Sequence, residues 1–100
     1  MSNYGASPSV VTGALTGITA GSTQLTSATV QFSLSQGVWI YPLTEDVSWI
    51  GIDSAAEGTG VRIQLDADAH AESAFIPIND PSRVYIHTVG GGGSVGFMYC

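Results

Sequence analysis

Along most of its length the chain is a succession of short segments in which apolar and polar residues alternate, set apart by Gly, Pro, Asp and Ser. Period-two alternation puts successive side chains on opposite faces of an extended strand, and clusters of turn-forming residues mark where each strand stops. In residues 29–35, Val30, Phe32 and Leu34 point one way and Thr29, Gln31, Ser33 and Ser35 the other. In residues 38–43, Val38 and Ile40 share one face and Trp39 and Tyr41 the other, so both faces are apolar. Pro42 has no amide hydrogen to donate, which predicts a sheet edge or a strand end there. Further strands are expected at 47–52, 61–65, 74–78, 83–88 and 94–99; in the second of these Val61, Ile63 and Leu65 turn inward and Arg62 and Gln64 outward. Two weaker candidates, 10–12 and 15–19, are separated by Gly13.

No segment sustains helical periodicity, and seven or eight short strands with regular turn signals predict an all-β fold, an antiparallel sandwich or a small barrel. A short helical turn is expected in the Ala-rich loop at 66–72. Residues 10–100 form one domain. Residues 1–9 are small and polar and contain Pro8, and read as a flexible N-terminal arm. The last two strands flank Gly90-Gly-Gly-Gly93, whose glycines predict the tip of a hairpin.

Composition narrows the functional classes. Hydrophobic residues make up 44% of the 100, but charged residues only 10%, against about 25% in an average soluble domain. There is no lysine, Arg62 and Arg83 are the only cations, and the net charge is −6. Phosphate backbones are bound by clustered Lys and Arg, so no nucleic-acid partner is expected. A sparsely charged surface suits an interface, whose centre is depleted of charge. The first residues carry neither a basic stretch nor an apolar one, and no apolar run is long enough for a bilayer span, so a soluble protein made in the cytoplasm, without a membrane partner, is expected. Cys100 stands alone, cannot form an internal disulfide, and reads as an incidental thiol.

Candidate chemistry is sparse. If residues 66–72 were extended, Asp66, Asp68, His70 and Glu72 would share a face and offer oxygen and imidazole ligands to Ca²⁺ or Zn²⁺. Their spacing matches neither a calcium-binding loop nor a zincin helix, so a solvated acidic loop with no assigned metal is the expectation. His87 is expected at the surface alongside Tyr85, without a partner that sequence can select for acid–base work. The glycine run has no following helix and no Lys, and is not a phosphate cradle. No catalytic set and no cofactor emerge, and the chain reads as a non-enzyme. The aromatic residues say more: Trp39, Tyr41, Trp49, Phe75 and Tyr85 all fall opposite the best aliphatic core positions. That pattern fits a two-sided core, a subunit interface or a sugar-stacking platform. Candidate contact residues are Tyr4, Trp39, Tyr41 and Tyr85.

Three stretches together resemble the small virion structural proteins of tailed bacteriophages: Ser22-Thr-Gln-Leu25, the segment from Pro42-Leu43 through Val47 to Ile50-Gly-Ile52, and above all Ile76-Pro-Ile-Asn-Asp-Pro-Ser-Arg-Val-Tyr-Ile86, followed by the glycine turn and a last strand. The resemblance covers roughly residues 20 to 99. It departs at Ile50-Gly-Ile-Asp-Ser54, where the loop that follows is expected to differ in shape. The resemblance is to capsid decoration (cement) proteins and the bases of head fibres. It implies a jelly-roll-like sandwich, a homotrimer, and a virion location on the outer surface of the major capsid protein shell. A carbohydrate-binding or adaptor module of a tail or fibre is the alternative. The family brings no catalytic residues.

Overall fold

The computed structural model describes residues 11–19, 21–27, 37–68, 70–90 and 92–99. Within them run eight strands: β1 (Val11–Ile18), β2 (Thr23–Gln24), β3 (Val38–Pro42), β4 (Ser48–Ile52), β5 (Val61–Ile63), β6 (Ala74–Ile76), β7 (Val84–Thr88) and β8 (Gly93–Tyr99). They form two antiparallel sheets of four, ordered β1-β8-β3-β6 and β2-β7-β4-β5. Among the described strands, every step from one to the next except β4 to β5 crosses from one sheet to the other. That is the strand order of an eight-stranded jelly roll, and the all-β sandwich expected from the alternation is present.

The core lies between the sheets and is filled by the inward half of each alternating strand. Val38, Ile40, Val95, Phe97 and Tyr99 of the first sheet meet Ile50, Ile63, Val84 and Ile86 of the second, with Ile18 and Leu25 closing the sides. Each such aliphatic side chain, once fully buried, contributes about 1.5–3 kcal/mol. Ser48 and Thr88 are also buried and lie opposite each other across β4 and β7.

Several expectations are corrected. Gly13 does not divide two strands: β1 runs through it, because the Phe97 ring on the facing residue of β8 occupies the space a side chain at Gly13 would need. The glycine turn is not a hairpin tip. β7 pairs with β4 and β2, whereas β8 pairs with β1 and β3, so the turn carries the chain from one layer to the other. Gly90 and Gly92 adopt φ of +79° and +82°, which glycine reaches without a side-chain clash. The Gly92 N–H donates to the carbonyl of Ile18 at 2.6 Å. By crossing, both strands gain a neighbour on each side; a hairpin would have paired them with each other.

Val61, expected inward, is 43% exposed, since it opens β5 at the edge of the second sheet; only Ile63 of that strand is buried. Pro42 closes β3, an interior strand. β6 pairs with β3 only as far as Ile40, so the missing amide falls beyond the ladder on that side. Among the described residues the helical turn is at Pro81–Arg83, N-capped by the Asp80 carboxylate, which accepts from the Ser82 N–H at 3.0 Å, and the described residues of the Ala-rich loop hold none. The strand expected at 29–35, the arm at 1–9 and Cys100 lie outside the described residues.

Candidate interaction surface

Alternation that sends Val38 and Ile40 into the core sends Trp39 and Tyr41 to the outer face of the first sheet. The register then sets their neighbours. Trp39 lies between Phe75 of β6 and Met98 of β8, and Met98 lies opposite Thr12 of β1. One pair along, Tyr41 faces Gly96, which in turn faces Ala14. The Tyr41 ring lies over Gly96, where even a Cβ would collide with it, so the bare glycine backbone is its seat. The Trp39 and Phe75 rings are 4.9 Å apart between centroids and tilted by 48°, within the range of favourable aromatic pairs. Trp39 is nonetheless 44% exposed, Phe75 41%, Tyr41 39% and Met98 37%. Leu43, equally open, follows just beyond the strand, its N–H donating to the Ser94 carbonyl at 2.9 Å.

This face carries no charge. None of the ten charged residues lies in any strand of the first sheet, and Arg62 of β5 is the one charge in any described strand. The acidic residues sit in the loops: Glu45, Asp46, Asp66, Asp68 and Glu72 at the end of the sandwich where β3 stops, and Asp53, Glu57 and Asp80 at the other. A contiguous apolar patch with a polar rim is the usual mark of an interaction site on a soluble protein.

The outer face of the second sheet differs. Trp49 of β4 pairs with His87 of β7 on one side and Arg62 of β5 on the other, and Tyr85 lies between Gly51 and Gln24. Trp49, Tyr85 and His87 are half-buried, and Trp49 Nε1 and His87 Nδ1 are both closed off from solvent without a hydrogen-bond partner. His87 is therefore more enclosed than the surface histidine the sequence predicts. Of the candidate contact residues, Trp39 and Tyr41 share one surface and Tyr85 lies on the opposite one; Tyr4 is outside the described residues. Met98 was missed, although the inward run Val95, Phe97, Tyr99 already implied that it points out.

The acidic segment does not stay extended. An isolated bridge between Leu65 and Ala71 folds it back on itself. Asp66 Oδ1 accepts from the N–H of Asp68 at 3.0 Å and of His70 at 2.9 Å, and His70 Nδ1 stands 3.5 Å from Asp66 Oδ2. Glu72 turns instead toward Arg62, at 3.8 Å. Among the described residues no three His, Cys, Asp or Glu side chains converge as a metal site would require. At the other end, Arg83 grips Asp53 through two bonds, Nε to Oδ1 at 2.9 Å and Nη2 to Oδ2 at 2.8 Å. The Arg83 hydrogen bonds hold the Asp53 carboxyl below its ordinary value, and the Asp53 carboxylate raises Arg83 in turn. The pair ties the β4–β5 loop to the start of β7, where Asp53 also donates its N–H to the Arg83 carbonyl at 2.7 Å. It is a structural clamp on an exposed surface.

Among the described residues, no helix is long and apolar enough to cross a membrane. The chain matches no protein-family model, no curated protein and no solved structure.

Proposed function

We propose that this chain is a non-enzymatic structural protein of a virion, a capsid decoration protein that binds the outside of the major capsid protein shell and stabilises the head. The observation that carries the reading is the uncharged aromatic face of the first sheet, which suits a small sandwich that works by assembling with other protein subunits. The sequence resemblance of residues 76–86 and their flanks supplies the capsid as the setting. Stabilisation would follow from mass action, since a subunit that binds only the assembled lattice lowers the free energy of that lattice. A sugar platform is less well supported: such sites set hydrogen-bonding side chains beside the stacking ring, and the strand neighbours of Trp39 are Phe75 and Met98. The test is to strip the protein from particles, add it back and measure heat resistance. Restored resistance is the expected result. Unchanged resistance, or binding to a glycan array that vanishes in Trp39→Ala without affinity for capsids, would sink the proposal.

A further inference from the structure

We infer that the outer face of the first sheet packs against the same face of a second copy of this chain, about a two-fold axis parallel to the strands. The inference rests on the reading of this face as a protein interface, and is independent of where in a virion the protein sits. Charge selects the occupant. The molecule carries a net −6, with every charge in the loops or on Arg62. A basic partner would be drawn to the acidic ends and would find no counter-charge on the sheet. An anionic membrane surface would find no basic residue there either. A second copy presents an equally uncharged face, so nothing ionised is stripped of water when the two meet.

The shape of the face is self-complementary under that axis. Across the sheet order β1-β8-β3-β6, the β3 and β6 half carries the exposed aromatic residues Trp39, Tyr41 and Phe75, whereas the β1 and β8 half exposes no aromatic ring, only Val11, Thr12, Ala14, Thr16 and Gly17 on β1 and Met98 on β8. Rotation about an axis running between β8 and β3 lays β6 of one copy over β1 of the other, and β3 over β8. The bulky half of each copy then fills the shallow half of its partner, in the aligned packing of about 10 Å spacing that stacked sheets adopt. Such a contact is isologous and closes at two copies, leaving none of this face for a third. The assembly is thus a dimer, where the family resemblance implies a trimer. The same axis brings the Asp66, Asp68 and Glu72 loops of both copies to one end, so like charges oppose association there and added salt strengthens it. A complex with an oppositely charged partner would show the reverse.

Sedimentation equilibrium of the full chain at low and high salt tests this. A dimer that tightens with salt is expected. Trp39→Lys, in the bulky half, and Ala14→Arg, in the shallow half, should each return it to monomer with an unchanged circular-dichroism spectrum, and Gln24→Lys on the other sheet should leave it dimeric. A monomer at both salt concentrations, a trimer, or a dimer that survives both Trp39→Lys and Ala14→Arg would overturn the inference; if one of these variants fails to fold, the other decides. Capsid binding by a monomer would defeat this inference alone, and a dimer without capsid affinity would defeat the decoration proposal alone.

Discussion

Trp39 stands open on the first sheet between Phe75 and Met98, whereas Trp49, at the equivalent outward position of the second sheet, lies half-buried between Arg62 and His87 with its indole nitrogen shut away from solvent. Both residues were sent out of the core by the same alternation. What surrounds them then diverged: an uncharged apolar row on one side, a polar row with unpartnered ring nitrogens on the other. An outward aromatic is thus a site only where its neighbours leave it accessible and carry no charge that contact would have to desolvate.

The contrast can be broken most sharply on β3 itself. Ile40→Ala removes a wholly buried side chain, and should destabilise the fold by about 3 kcal/mol in urea unfolding, in the range for large-to-small core changes. Measured at a concentration low enough for the monomer, Trp39→Ala, one residue away, should lower stability by less than about 1 kcal/mol, as expected of a surface position; equal losses would mean that the first-sheet face is not open in the single molecule. Between the two sheets, Trp49→Ala should lower stability by about 2 kcal/mol, more than Trp39→Ala, because the second-sheet ring is packed and its loss leaves a void. Matching thermal midpoints for the two variants would remove the distinction.

A smaller effect of opposite sign is expected inside. Thr88 is fully buried and its hydroxyl has no hydrogen-bond partner, so Thr88→Val, nearly the same shape, should stabilise by about 1 kcal/mol. A loss of stability would mean that the hydroxyl is satisfied. The smallest effect concerns the charged end of the second sheet. Because Asp53 is held below its ordinary value of 3.8, the stabilisation from its pair with Arg83 is complete above that value and is lost as pH falls through the lower, folded one. Acid titration of unfolding in wild type and Arg83→Ala should therefore diverge above pH 3.8 and converge in stronger acid, with a gap that narrows in salt. Parallel curves throughout would show that the clamp contributes nothing.

Much of the fold was legible because strand periodicity is local. The inward sets Val38 and Ile40, Val84 and Ile86, and Val95 and Phe97 could be read from alternation alone, and so could the outward placement of Trp39, Tyr41, Trp49, Phe75 and Tyr85. Legibility failed wherever a distant residue intervened. Gly13 looked like a break because the Phe97 ring that completes its place in β1 lies far along the chain. Val61 looked buried because nothing in its own segment marks β5 as an edge. Asp66, Asp68, His70 and Glu72 looked like one face because the Leu65–Ala71 bridge that folds them back cannot be seen in their spacing.

That this protein is all-β, where most of its strands run, which residues leave the core, and that one molecule carries almost no positive charge were all readable without any knowledge of the fold. These follow from side-chain period and composition, which need no knowledge of what lies across the sheet. Strand pairing across the fold was needed to show that the glycine turn steps between layers, that Trp39, Tyr41, Phe75 and Met98 converge on one face while Trp49 and Tyr85 go to the other, and that the one charged strand, β5, falls in the sheet away from Trp39. Strand pairing is non-local, and a turn that reverses the chain is equally compatible with pairing two strands and with facing them across a core.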